Sequence, residues 1–310
     1  MTSFLHEKWP TLLGHHRLLT ALAFSGFGLL MTYWGYVRYQ RRIRTGRLLL
    51  IPNSSYKVTL LEREVLTHNT RLLRFALPYQ GQTLGLPVGK HIYVHAKIKG
   101  RLVVRPYTPI SHTDQRGSFD IIVKVYFKET ALQFPGGGTM SQFLDSLQPG
   151  DSVHIQGPKG SMEYKGRGVF SFKDGLIVHK VARIGMIAGG SGITPMLQLL
   201  RCIFNDTEDN TQVNLIFVNH TEDDIILRYE LDDLAHSYPS QFHIFYVVNT
   251  PPAGWRYGSG LLNVGHIREN LPPAGQDTLI LLCGPPLLVS RVCRPALSKL
   301  GYTASLVYAY

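Results

Sequence analysis

The sequence predicts a β + α/β chain carried behind an N-terminal transmembrane helix. Three observations predict it. Leu18–Val37 is a run of 20 residues without a charge. Residues 48–163 hold half a dozen short apolar or alternating stretches separated by Gly, Pro and Asn turns. From residue 183 onward, strand-like and helix-like stretches alternate. The first gives the membrane segment, the second an antiparallel β-barrel, and the third a parallel sheet with crossover helices.

The membrane segment comes first. Twenty helical residues at about 1.5 Å each cover roughly the 30 Å hydrocarbon core of a bilayer. Tyr33, Trp34, Tyr36 and Tyr39 cluster at its C-terminal end, as an interfacial aromatic belt would. Arg38, Arg41, Arg42, Arg44 and Arg47 follow, whereas Lys8 and Arg17 are the Lys/Arg residues ahead of it. The positive-inside rule therefore places everything after residue 38 in the cytosol, as a single-pass protein of the endoplasmic reticulum or the mitochondrial outer membrane. A cleaved signal peptide would end in a small-x-small site, which is absent. A buried core helix would not need five arginines directly behind it, which suit lipid headgroups. Residue 2 is Thr, so N-myristoylation is excluded. With a cytosolic catalytic part, the sequons at Asn53, Asn205 and Asn219 stay unmodified.

Residues 1–47 form this anchor and its basic flank, and 48–163 the barrel. KVTLLEREVL, TRLLRFAL, KHIYVHAKI, RLVVRPYT, FDIIVKVYF and DSVHIQGP read as its strands, and SQFLDSLQ as a helix entered through glycines. Residues 164–182 read as a linker. In 183–310, RIGMIAGG, VNLIFVN, FHIFYVV and TLILLCG read as buried parallel strands. ITPMLQLLRCIF, DIILRYELDDLAHSY and LLVSRVCRPALSKL read as helices.

Composition excludes several classes. The chain has 310 residues, 44% of them hydrophobic and 17% charged, enough apolar material for a packed core. Three cysteines, Cys202, Cys283 and Cys293, are too few for a disulfide framework and lack zinc spacing with histidines. No metal is expected. The net charge is +11. Residues 1–47 carry seven Lys/Arg against one Asp/Glu, 48–173 carry 16 against eight, and 174–310 carry nine against 12. The charge therefore belongs to the anchor flank and the first folded region. No compact basic run in the soluble part calls for nucleic acid.

Four motifs carry chemistry. Arg105-Pro106-Tyr107-Thr108 closes a strand, and a guanidinium, a phenol and a hydroxyl so close together suit a diphosphate and a planar ring. Taken alone it also reads as an ordinary exposed strand end. Gly136-Gly137-Gly138-Thr139-Met140-Ser141-Gln142 opens a helix, where free N–H groups suit an anion. It also reads as a flexible loop with Ser141 as N-cap, and the two readings are compatible. Gly189-Gly190-Ser191-Gly192-Ile193-Thr194-Pro195 lies between a buried strand and a helix, the context of a dinucleotide pyrophosphate. It is not G-x-G-x-x-G, because Pro195 takes the last place. Cys283-Gly284-Pro285 puts a thiol at the carboxyl end of the sheet, where a structural cysteine beside a tight turn would also stand.

The order of these motifs, with GLPVGKHIYV, VRPYTPIS, VKVYFK, MIAGGSGITPMLQLLR, ILRYELDDL and LLCGPP, is more specific than any one of them. From about residue 55 onward the chain resembles the ferredoxin-reductase-type flavoenzymes, and within them the NADH–cytochrome b5 reductase family. The resemblance implies an FAD-binding barrel followed by a Rossmann-like NADH-binding domain. It implies that Arg105 pairs with the flavin diphosphate, that Pro106 and Tyr107 lie along the flavin, and that Thr108 bonds near flavin N5. Ile122, Lys124, Phe127 and Phe134 match further flavin-side positions, and Lys124 also assists NADH. Gly138, Met140 and Ser141 would hold FAD phosphates, and Thr194 would reach the flavin from the second domain. Gly190, Ser191, Gly192, Cys283, Gly284 and Pro285 would form the nicotinamide site. Thr108, Lys124 and Cys283 are the residues expected at the reacting rings. The implied acceptor is cytochrome b5 or a similar acidic haem protein. Another haem protein, a quinone or a ferric chelate is the alternative acceptor, and a silent membrane-tethered module the alternative without activity. Four positions depart from the family pattern: Thr139 in place of Lys, Asn249 in place of Asp, Leu261 in place of Phe and, more mildly, Ser191 in place of Thr. Asn249 removes a carboxylate that would repel the 2′-phosphate of NADPH, so NADPH use is open.

Overall fold

The computed structural model describes residues 31–40, 44–51, 53–128 and 135–310. Most of the expected membrane span, Leu18–Val37, lies outside them. Residues 31–40 are helical, with Tyr33, Trp34, Tyr36 and Tyr39 exposed and the Arg38 guanidinium 5.6 Å from the Trp34 ring centre. Among the described residues no helix is long and apolar enough to cross a membrane. The chain divides into two units between Gly46 and Arg47, and the second unit carries all the sheets.

Six antiparallel strands form its first sheet: β1 (Ser55–Thr67), β2 (Thr70–Ala76), β3 (His91–Ile98), β4 (Arg101–Tyr107), β5 (Ser118–Lys124) and β6 (Ser152–Lys159), in the order β4-β3-β6-β1-β2-β5. Alternation puts Val58, Leu60, Leu73, Phe75, Ile92, Val94, Ile121 and Val123 into one core. The expected closed barrel is not formed, because β4 and β5 remain the two edges. Pro106 in β4 has no N–H to donate to a further strand, and Pro109 follows two residues after the strand ends. The gap is spanned instead by single bonds: Ile110 N–H donates to the Asp120 carbonyl at 2.9 Å, and the Asp120 N–H donates to the Ser111 hydroxyl. Helix α1 (Thr139–Ser146) packs against β3, β4 and β5 across it, burying Met140 and Leu144.

The stretch read as a linker is itself folded. It is a three-stranded antiparallel sheet of β7 (Met162–Gly166), β8 (Val169–Phe172) and β9 (Ile177–Lys180). Then come β10 (Arg183–Gly189), α2 (Ile193–Asn205), β11 (Gln212–Asn219), α3 (Arg228–Ser237), β12 (Phe242–Val248), β13 (Gly258–Ser259), α4 (Val264–Asn270), β14 (Thr278–Cys283), α5 (Arg294–Lys299) and β15 (Val307–Ala309). The sheet is parallel throughout, in the order β13-β12-β11-β10-β14-β15. Its order reverses at β10, and a ligand crevice is expected there, past the carboxyl ends of β10 and β14. The long helix expected over residues 224–238 starts only at Arg228. Thr221 and Asp224 form a capping box around a 3-10 turn, Glu222–Asp224, and Leu227 sits at φ +54°.

The two sheets share a core. Ile122 points away from its neighbours Ile121 and Val123, and with Val88 and Ile110 it joins Met186, Ala188, Met196 and Phe217 of the second sheet and its helix.

Candidate active site

Three backbone features converge where the sheets meet. The first is the end of β4. Arg105 is exposed, and among the described residues its guanidinium donates to the Val104 carbonyl alone, at 2.8 Å. Pro106 is exposed beside it. Tyr107 is half-buried, and burial pushes its phenol well above its ordinary range, so it stays neutral. Thr108 is half-buried and followed by buried Pro109 and Ile110.

These last two residues are gripped from the other domain. Gln198 of α2, a buried amide, accepts from Gly89 N–H at 2.7 Å and donates to the Lys90 and Pro109 carbonyls at 3.3 Å. Arg201, one turn on, donates to the Ile110 carbonyl and holds Glu230 through two bonds of 2.8 Å. Sequence reasoning missed both. The signal for Gln198 was a polar residue on the buried face of an otherwise apolar helix.

The second feature is the start of α1. Gly138 is the N-cap, with no side-chain cap on the first turn. The unpaired N–H groups of that turn suit an anion. The alternative of Ser141 as N-cap is overturned, since Ser141 lies inside the helix. Its hydroxyl donates to the Gly138 carbonyl at 3.1 Å and accepts from Tyr126 N–H at 3.2 Å. Asp145, on the same helix, holds Arg63 of β1 and Arg71 of β2, and so fixes the helix to the sheet. Met140 is buried beneath it, Phe127 is exposed nearby in sequence, and Phe134 lies outside the described residues.

The third is the crevice between β10 and β14. Gly190 has φ +52°, a backbone state that suits glycine. A Cβ on Gly192 would lie 2.2 Å from the Cys283 carbonyl oxygen and 2.8 Å from Gly284 N. The two loops are thus in backbone contact, which only glycine permits. Gly189 is crowded by side chains instead, with the Leu288 Cδ2 2.7 Å and the Pro285 ring 2.9 Å from its would-be Cβ. Ser191 is half-buried, and its carbonyl accepts from the Thr194 hydroxyl at 3.2 Å. The Cys283 thiol is half-exposed, and burial pushes it up to about 12, so it is a neutral thiol at physiological pH. Asn219, one residue past the Val218–Gly189 pair, is buried with neither amide atom partnered among the described residues.

Lys124 joins the first domain to this crevice. It ends β5, its Cδ is 3.9 Å from a Cβ built on Gly190, and its ammonium donates to Asp224 at 3.0 Å. Ile122, by contrast, faces the shared core. At the far edge, Asn249 follows β12 with its amide 3.2 Å from the His220 ring, and Leu261 is 76% exposed. Among the described residues no group of His, Cys, Asp and Glu is set to hold a metal.

These features fit two dinucleotides. A helix start without a side-chain cap and a guanidinium, Arg105, without an acidic partner among the described residues suit one diphosphate. A glycine crevice with an orphaned buried amide suits the other. Comparisons with known proteins agree. Residues 57–164 match the family model described as an oxidoreductase FAD-binding domain, and residues 186–294 the one described as an oxidoreductase NAD-binding domain. NADH-cytochrome b5 reductase 2 of Xenopus laevis is 49% identical over 84% of this chain and 90% of its own length. NADH-cytochrome b5 reductase 1 of Homo sapiens is 46% identical over 94% of this chain and 97% of its own. The crystal structure of the cytochrome b5 reductase domain of Ulva prolifera nitrate reductase superposes with a TM-score of 0.80 at 37% identity, covering 84% of this chain and 99% of that one. With an FAD-binding and an NAD-binding domain in one body, and relatives matched nearly end to end, the chain belongs to the NADH–cytochrome b5 reductase family of flavoprotein oxidoreductases.

Proposed function

We propose that this protein is a membrane-anchored reductase that draws electrons from NADH and delivers them to cytochrome b5. The observation that carries it is that α1, entered at Gly138, packs on both β4, which closes at Arg105–Tyr107, and β5, which ends at Lys124 beside the Gly190–Gly192 turn. When bound, FAD would supply the hydride acceptance from NADH and the single-electron donation to a haem acceptor.

The chain's own residues do the placing. Arg105 holds the flavin diphosphate together with the α1 N-terminus at Gly138, Met140 and Ser141. Tyr107, neutral and half-buried, would pack on the flavin ring, with Pro106 and Phe127 as further flavin-side contacts. Thr108 offers its hydroxyl to the ring from a strand end that Gln198 immobilises. Gly190, Ser191, Gly192, Gly284 and Pro285 take the nicotinamide nucleotide, and Thr194 holds that turn in shape. Cys283 packs as a neutral thiol and moves no proton. No side-chain base is needed, so rate comes from alignment and from exclusion of water.

The first domain also suits an acidic acceptor. On the β3–β4 hairpin Lys97, Lys99 and Arg101 are exposed, and β4 runs straight back to Arg105. Such charge steers association, so cytochrome b5 reduction should slow as salt rises. The helical residues 31–40, with their exposed aromatic side chains and Arg38, fit the end of a single-pass anchor in the endoplasmic reticulum or mitochondrial outer membrane, with the catalytic domains cytosolic.

A second reading concerns the nucleotide. Asn249 presents an amide bonded to His220 at the end of β12, and Arg256 is exposed nearby in sequence. Position 249 carries no carboxylate to repel a 2′-phosphate, so NADPH is read as a slower second donor.

The test is to purify the full chain in detergent. A yellow protein should be bleached by NADH and reoxidised by cytochrome b5, and NADPH should bleach it more slowly. A colourless protein, or a yellow one that no pyridine nucleotide bleaches, overturns the reading. Fast quinone turnover beside slow, salt-insensitive cytochrome b5 turnover would replace the acceptor.

A further inference from the structure

Asp224 is a buried carboxylate that the chemistry above leaves unused. It is 5% exposed and closes the 3-10 turn after β11. One of its oxygens accepts from the Thr221 N–H at 3.1 Å and the Thr221 hydroxyl at 2.9 Å. The other accepts from the Lys124 ammonium at 3.0 Å and the Asn69 amide at 3.2 Å. His68 stands 3.9 Å from that same oxygen, and its ring is 2.9 Å from the Asn69 amide nitrogen. A buried carboxylate is costly unless it is paired and hydrogen-bonded, and this one is both.

The donors come from separate places. Thr221 belongs to the nucleotide domain, Lys124 to the end of β5, and His68 and Asn69 to the β1–β2 turn. Asn69 is also tied to the residue after β5, because its carbonyl accepts from Val125 N–H at 2.7 Å. Lys124 carries its stem over Gly190 and its charge onto a residue of the opposite domain. A lysine has much rotamer freedom to lose, and a preformed carboxylate partner removes it before any ligand arrives.

We propose that Asp224 is a positioning residue: it pins Lys124 across the domain boundary and presets its ammonium at the mouth of the Gly190–Gly192 crevice for the pyridine nucleotide. The proposal rests on the reading that Lys124 meets NADH. Burial alone would raise the Asp224 carboxyl, but the Lys124 hydrogen bond and charge, with Thr221 and Asn69, outweigh it and hold it at about 2. The pin is therefore charged at every pH at which the enzyme works.

The test is a double-mutant cycle on the full chain with its FAD bound, with NADH varied against an excess of ferricyanide. Loss of one charged hydrogen bond is worth about tenfold in binding. Asp224→Asn is expected to raise KM for NADH about tenfold with a smaller fall in kcat, and Asp224→Glu to recover most of it. Lys124→Met should raise KM at least as much, and the double variant no further. Should the two effects multiply, or should Asp224→Asn leave KM within twofold while Lys124→Met raises it, the proposal is overturned. If Lys124→Met itself leaves KM unchanged, the reading of Lys124 at the nucleotide fails first and the positioning role with it. If Asp224→Asn loses its flavin, Asn69→Ala takes its place, because it removes one neutral donor and keeps the ion pair. A KM raised about threefold supports the pin, and an unchanged KM overturns it.

Discussion

Two glycine-opened helices face the cofactors, and they are held in opposite ways. Helix α1 begins in three glycines of which Gly136 is exposed, and it is held from behind by Asp145 on Arg63 and Arg71. Helix α2 begins in glycines pressed onto the backbone of the Cys283–Gly284 turn, and its residues from Ile193 to Leu200 are all buried. The first loop is tight only at Gly137, against the Tyr126–Phe127 backbone, and otherwise relies on side-chain anchors behind the helix. The second is tight at Gly189 and Gly192 and along the buried helix that follows. Outside Gly137, mutations should therefore strike the first through ligand affinity and the second through folding.

The strongest break of this contrast is Gly192→Ala. Its Cβ meets backbone, not a movable side chain, so the two strand ends must part. A cost of about 3 kcal/mol is expected, read as a melting temperature lower by about 5–10 °C even with FAD saturating. A nearly equal effect is expected from Gly137→Ala. Gly137 sits at φ +68° with the Tyr126 carbonyl oxygen 2.5 Å and the Phe127 carbonyl carbon 2.8 Å from the added Cβ. About 2–3 kcal/mol of strain and backbone clash should appear both as a lower melting temperature and as weaker FAD retention on dilution. Gly138→Ala should be milder, at about 1 kcal/mol or less. Its φ of −82° suits any residue, and the Cβ meets the Ser141 hydroxyl, a short side chain that can turn away. If Gly138→Ala unfolds the protein and Gly192→Ala does not, the contrast is reversed.

Acid sharpens the comparison from another side. The Asp224 carboxyl lies at about 2 when folded and near 3.9 when the chain is unfolded. Such a group stabilises fully above the unfolded value and ceases to do so as pH falls through the folded one. The stability gap between wild type and Asp224→Asn should thus be constant above pH 5, narrow from about pH 4, and close near pH 2. Denaturant midpoints measured across that range would show it, and a gap that widens on acidification would refute it.

Much of this was legible in the sequence because strand and helix periods are strong where a face is buried. FHIFYVV and TLILLC could hardly be anything but sheet interior. Barrel closure was not legible, since it depends on whether β4 and β5 pair with each other rather than on either strand's own pattern. The meander at Met162–Lys180 was hidden by glycines and lysines whose alternation is weak. Glycine motifs marked the crevice correctly in kind, because close backbone approach selects glycine whatever the ligand. The grip of Gln198 and Arg201 on Pro109 and Ile110, and the pin at Asp224, join residues about 90 to 100 positions apart. No local pattern encodes such pairs.

Val88, Ile110 and Ile122 lie in the same core as Met186, Met196 and Phe217. The flavin half and the nucleotide half are therefore not interchangeable parts. A cut between them would leave each with a raw apolar face, so neither half is expected to survive alone as a soluble fragment, and heat should take both apart in one step. For anyone recombining such reductases to change their donor, the seam to respect is this inner face and not the surface loop that joins the sheets.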